Sequence, residues 1–172
     1  MRVRWKDFEL PTRVVVEEKT LTNTFGTFIA EPFERGYGIT IGNSLRRVLL
    51  SSIEGAAVTS VKIKGVSHEF STIKGVVEDV TDIILSIKKL VVRLETEGPR
   101  TLRIEKHEKG EVKGSDIAPD PQVTVVNPDL HIATLTEDVD FVVELEVKKG
   151  RAYVTADENE KEDRELGVIS VD

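Results

Sequence analysis

Cysteine is absent from this chain of 172 residues. Disulfides and thiolate metal sites are therefore excluded, and an intracellular setting is compatible with that absence. Aromatic residues are scarce. Six Phe, two Tyr and one Trp leave the core to be built mainly from aliphatic side chains. Long apolar runs are missing as well: clusters such as Asp82-Ile83-Ile84-Leu85-Ser86-Ile87 fall far short of the roughly 20 residues that a membrane-spanning helix needs. The opening MRVRWKDFELP is charged and lacks the apolar stretch of a signal peptide, so no secretory leader is expected. Positive charge is in deficit, with 24 Lys and Arg against 31 Asp and Glu and a net charge of −7. Neutralising a phosphate backbone requires clustered Lys and Arg, so the chain as a whole is not expected to bind DNA.

What is present fits a folded chain. The 39% hydrophobic and 32% charged content is that of an ordinary globular protein, and the length allows one or two small domains with a real core. Most informative is EPFERGYGITIGNSLRRVLLSS, from Glu31 to Ser52. Pro32, Gly36, Gly38 and Gly42 predict a turn. An amphipathic helix is expected from about Asn43 to Ile53. At about 100° per residue, Leu45, Val48, Leu49 and Ser52 share one face of it. Arg46, Leu50 and Arg47 lie together on the other, with the leucine between the two guanidinium groups. Apolar anchors beside arginine are characteristic of protein contact surfaces.

This segment resembles the N-terminal domain of the bacterial RNA polymerase alpha subunit, whose pattern EP-x-ERG-x-G-x-T-x-GN-x-LRR-x-LLSS is met at each fixed position. Further matches follow in order: Gly55-Ala56-Ala57-Val58-Thr59, Gly65-Val66-Ser67-His68-Glu69-Phe70-Ser71-Thr72, Gly75 to Val80, Leu85 to Leu90, and Lys149-Gly150-Arg151-Ala152-Tyr153-Val154. The likeness covers nearly the whole chain and is weakest between about Glu95 and Pro121. It departs at Ala152, where the family usually has Gly, and at Asp172, where the family's chain continues back into the first domain and on to a DNA-binding domain.

The resemblance implies a non-catalytic, cytoplasmic assembly subunit without cofactor or metal, which forms a homodimer and recruits the beta and beta-prime subunits. It implies a boundary near Gly55, with residues 1–54 as the first part of a dimerisation domain and 55–172 as an inserted strand-rich domain. Glu34, Arg35, Gly36, Arg46 and Arg47 match positions that meet the beta subunit. Leu50, Lys88 and Val171 match positions on the beta-prime side, Lys149 and Arg151 are assigned to that side from a neighbouring element, and Phe33, Leu45, Val48 and Leu49 are assigned to dimerisation. With the family's continuation lacking, the Leu45–Val48–Leu49 stripe is expected to be short of cover, and the part after Gly55 to fold independently.

The residues themselves predict an α+β fold with two main helices and many strands. Arg13–Glu17 and Gly26–Ala30 read as strands, as do Val58–Ile63 and His68–Ser71. Ser71 or Thr72 is expected to cap a second helix with apolar positions Val76, Val80, Ile83, Ile84, Ile87 and Leu90. Leu90–Leu94 and Thr101–Glu105 flank Gly98-Pro99 as a predicted hairpin. After a loop-rich interval marked by Gly110, Gly114, Pro119 and Pro121, strands resume at Gln122–Asn127, His131–Leu135 and Asp140–Val147. The charge run Asp157–Glu165 reads as a solvated loop.

Catalytic chemistry is hard to find. His68-Glu69 opens like a metalloprotease motif, but Thr72 stands where the second His is required. Gly36-x-Gly38-x-x-x-Gly42 could cradle a phosphate on backbone N–H groups, yet no Walker lysine follows and the dinucleotide spacing is off by one. A small nucleotide- or anion-binding protein using the Gly36–Gly42 turn is thus the alternative to a scaffold.

Overall fold

The computed structural model describes residues 8–159 and 165–172. The chain divides into two compact units, one reaching to Leu50 and the other running from Ser51 onward. In the first, β1 (Val14–Val16) and β2 (Phe28–Ala30) form an antiparallel pair with Val15 opposite Ile29. Helix α1 follows over Tyr37–Ser52. It begins earlier than expected, because among Gly36, Gly38 and Gly42 only Gly36 adopts a left-handed backbone, with φ +87°. Tyr37 N–H donates to Glu34 O at 3.0 Å and the helix starts there. Gly38 and Gly42 lie inside it. Glycine permits a turn without requiring one, and its helical penalty of about 1 kcal/mol is a weak prior that context overrides.

The second unit contains β3 (Glu54–Ile63), α2 (Val80–Ile87), β4 (Val92–Leu94), β5 (Arg100–Lys106), β6 (Gly110–Lys113), β7 (Val123–Val125), β8 (His131–Leu135), β9 (Phe141–Arg151), the single-turn α3 (Ala156–Asn159) and β10 (Val168–Ser170). The main sheet has the order β5-β9-β3-β4-β7, with β10 also paired to β3, and β6 pairs with β8 in a second sheet. All these pairings are antiparallel. The fold is α+β, as expected.

Alternation along β9 buries Phe141, Val143, Leu145 and Val147, and Val61 and Ile63 of β3 pair with β9 from the neighbouring strand. These side chains join Val80, Ile83 and Ile87 of α2 and Ile132 and Leu135 of β8 in one aliphatic cluster. Each such side chain contributes about 1.5–3 kcal/mol on burial. Among the described residues no polar or charged side chain is fully buried.

Several local expectations differ from the structure for identifiable reasons. His68–Ser71 forms no strand, because the turn in which Val66 N–H donates to Ile63 O ends β3 and the following segment is tied to α2 through Thr81 Oγ1 and Glu69 O at 3.0 Å. The second helix is capped by Asp79, whose side chain accepts from Asp82 N–H at 2.8 Å, not by Ser71 or Thr72. Val76 instead bridges to Leu135 as extended chain. The hairpin around Gly98-Pro99 does not pair with itself. Strand β4 lies between β3 and β7, whereas β5 pairs with β9. A turn reverses the chain locally, but burial of Val92, Leu94, Leu102 and Ile104 selects partners distant in sequence. The interval expected to be loop also holds β6. Of the acidic run, α3 takes up the first residues to Asn159, while 160–164 lie outside the described residues.

Ala152, which departs from the resembled pattern, has φ +61°. A Cβ there costs roughly 1–2 kcal/mol that Gly does not incur, partly offset by the greater unfolded-state freedom of Gly. Ala152→Gly should raise stability by about 0.5–1 kcal/mol. Denaturant titration checks this, and a lower midpoint would show the left-handed turn to be unstrained.

Candidate functional site

Helix α1 has 16 residues and buries none of them. The stripe expected to face a core is open, with Leu45, Val48 and Leu49 at 58%, 55% and 58% exposure. On the other face Leu50 is 64% exposed, and Arg46 and Arg47 are exposed beside it. Both faces of the helix are therefore accessible. Glu34, Arg35 and Gly36 lie at its N-terminal approach and are exposed. Glu34 N–H donates to Glu9 O at 3.1 Å, which fixes that approach to the preceding chain. Phe33 is partly buried. With Gly38 and Gly42 inside the helix, no glycine loop remains between Gly36 and Gly42. The phosphate-cradle alternative loses its geometry.

A second group lies in the unit that starts at Ser51. A cleft between α2 and the end of the chain is lined by Ile84, Leu85 and Lys88 on one side and Ile169, Val171 and Asp172 on the other. Lys88 Nζ donates to Asp172 Oδ2 at 2.7 Å, and Tyr153 Oη donates to the same oxygen at 2.7 Å. That hydrogen bond, with the attraction of Asp172, raises the Lys88 ammonium above its ordinary value against a smaller opposing effect of burial. The hydrogen bonds from Lys88 and then Tyr153 hold the Asp172 carboxyl below its ordinary value. The Val171 side chain is buried, its N–H donates to Thr59 O at 2.9 Å, and its carbonyl accepts from Asn159 Nδ2 at 2.8 Å. Its side chain thus contributes to the cleft floor.

Lys149 and Arg151 lie near the end of β9 on the register of β3, where Arg151 pairs opposite Glu54. Lys149 Nζ reaches Glu97 at 2.9 Å and Glu54 at 3.8 Å, and Arg151 Nη2 reaches Glu54 at 3.7 Å. The structure thus brings Lys88 and Val171 to one cleft and keeps Lys149 and Arg151 together on the β3–β9 ladder. Asp172, 84 positions from Lys88, gave no signal in the sequence as its partner.

Among the described residues no group of three or more His, Asp and Glu side chains is placed to hold a metal ion, and no helix is long and apolar enough to cross a membrane. His68 Nδ1 lies 3.2 Å from Ser71 Oγ.

The strand-rich α+β unit follows, along the chain, an Arg/Leu helix that buries none of its residues. Residues 61–172 match the RNA polymerase Rpb3/RpoA insert domain, and the chain belongs to that family. It is similar to the DNA-directed RNA polymerase subunit alpha of Rhodopirellula baltica, with 49% identity over 172 residues, 100% of this chain and 52% of the relative. The subunit alpha of Symbiobacterium thermophilum is 55% identical over 164 residues, 95% of this chain and 51% of the relative. That of Clostridium acetobutylicum is 54% identical over 155 residues, 90% and 49% respectively. The chain spans about half the length of the curated relatives it matches.

The cleft carries a spectroscopic handle. The hydrogen bond to Asp172, together with burial, raises the Tyr153 phenol above its ordinary value. Asp172→Asn should lower the titration midpoint of one of the two tyrosines, read by ultraviolet absorbance in alkali. Unchanged midpoints for both would show that Tyr153 and Asp172 do not interact in solution.

Proposed function

We propose that this chain is the assembly-scaffold portion of a bacterial RNA polymerase alpha subunit, cytoplasmic and without catalytic chemistry of its own. It pairs with a second copy through Phe33, Leu45, Val48 and Leu49. It presents Glu34, Arg35, Gly36, Arg46 and Arg47 to the beta subunit. On the beta-prime side it offers Leu50, Lys88, Lys149 and Arg151, with Val171 beneath the Lys88 cleft. The supporting observation is a helix of 16 residues with no buried side chain. Each apolar residue left in water forfeits roughly 1.5–3 kcal/mol of burial, so its open stripe calls for a protein surface as cover. Arginine suits the opposite face because its planar fork binds carboxylates and carbonyls bidentately and stacks on neighbours. The resemblance along Glu31–Ser52 and the named relatives give the scaffold its polymerase context.

Two variants test the reading together in co-purification with the large subunits. Arg47→Ala, an exposed substitution, should cost under about 0.5 kcal/mol of stability while sharply reducing recovery of beta. Lys88→Glu should leave the beta complex intact and impair addition of beta-prime. Undiminished beta recovery with Arg47→Ala would refute the first surface, and equal loss of both partners from Lys88→Glu would refute separate surfaces.

A further inference from the structure

The imidazole of His131, on β8, sits between two carboxylates. Its Nε2 lies 2.9 Å from Glu78 Oε1 and its Nδ1 lies 2.9 Å from Glu111 Oε1. Glu78 belongs to the segment just before α2, whereas Glu111 belongs to β6. A neutral imidazole has one N–H and one lone pair, so it can donate to only one of these carboxylates and turns its lone pair on the other. Only the doubly protonated ring donates to both.

The segment that Glu78 occupies is attached to β8 by further bonds. Val77 N–H donates to Thr134 O at 3.0 Å, and Thr136 N–H donates to Gly75 O at 2.8 Å. Glu78 in turn accepts from Thr134 N–H at 2.7 Å and from Thr134 Oγ1 at 3.0 Å. The next residue, Asp79, caps α2. The carboxylate therefore lies where extended chain becomes helix, and its side chain is only 19% exposed.

We propose that Glu78, His131 and Glu111 form a proton-linked latch that fastens the entry to α2 onto the β6–β8 sheet, closed when the imidazole carries both protons and slackened when it loses one. The charged groups around the ring are Glu78 from the α2 approach and Glu111 from β6, with Lys113 of β6 pairing to Glu111 Oε2 at 3.1 Å. Because Lys113 also holds Glu111, and Thr134 also holds Glu78, the neutral state loses one bond without scattering the whole cluster. Slackening is thus local.

The direction of the pH effect follows from these contacts. The hydrogen bond to Glu78 is the largest influence raising His131, burial opposes it, and Glu111 adds to the rise. The stability the latch contributes is complete below the ordinary imidazole value of about 6.5 and is lost as pH rises through the higher folded value. Burial pushes the Glu78 carboxyl upward, but hydrogen bonds from His131 and Thr134 outweigh it and leave the group below its ordinary value. The Glu78 contribution is therefore present above the ordinary carboxylate value and fails only in acid. The latch is closed between those limits.

Amide hydrogen exchange of Val77 and Thr134 tests it in the chain, corrected for intrinsic exchange and followed from below to above about 6.5. Exchange at both amides should rise several-fold as the ring deprotonates. His131→Gln should abolish that dependence. His107→Gln should preserve it, although His107 likewise lies between carboxylates, Asp140 at 2.8 Å and Glu105 at 3.3 Å. A pH-independent corrected rate, or the same dependence in His131→Gln, would overturn the proposal. Should His131→Gln fail to fold, the ring of the unsubstituted chain decides by nitrogen NMR. Titration of His131 above the ordinary imidazole value supports the latch, and titration at or below it overturns the latch.

Discussion

Pairing between β3 and β9 is the constraint from which the rest of the second unit follows. The two strands run antiparallel from Glu54 opposite Arg151 to Ile63 opposite Val143, with one irregularity between Val58 and Ser60. Their other edges take β4, β5 and β10. Since successive side chains point to opposite faces, a slip of one residue would turn Phe141, Val143, Leu145 and Val147 away from the core. The aliphatic alternation of β9 thus holds the register, and the register in turn places Lys149 and Arg151 beside Glu54. Positions on the two strands that differ by 80 or more in sequence become neighbours through this one ladder.

The two helices show opposite relations to burial. Helix α2, with eight residues, buries Val80, Ile83 and Ile87 and is held at its start by the Asp79 cap. Helix α1 is twice as long and buries nothing. Helices in proteins draw most of their stability from packing of the apolar face. Without such packing, the apolar face of α1 stays open. The ion pair between Lys88 and Asp172 adds little stability by itself, being partly exposed, but it sets the charge distribution at the cleft beside α2.

Legibility in the sequence varied with the range of the interactions involved. Strand β9 was readable because its period-two alternation is a local property, and β1, β2, β7 and β8 because short segments rich in strand-favouring residues are local as well. The start of α1 is not legible because three glycines look alike in a sequence, while only Gly36 of the three takes a left-handed backbone. The cap of α2 is not legible because Ser71, Thr72 and Asp79 are all competent caps. Gly75, with φ +81°, and the bridge from Val76 to Leu135 decide among them. The exposed pair Arg46 and Arg47 with Leu50 was visible on a helical wheel. The partners of Lys88 and His131 were not, since charged residues abound in the chain and composition does not say which will meet.

By itself the sequence determined the fold class, an aliphatic core, the amphipathic character of both helices and, through the Glu31–Ser52 pattern, the family resemblance. All of these rest on residue type and short-range periodicity, which are encoded within a few turns of chain. Tertiary structure alone decided that β5 joins β9 and not β4, that Asp172 meets Lys88 and that His131 stands between Glu78 and Glu111. The physical reason is that such contacts depend on which surfaces bury best together once the whole chain has collapsed. Local sequence places a charge on a strand or a helix, but only the packing of distant strands determines what stands opposite it.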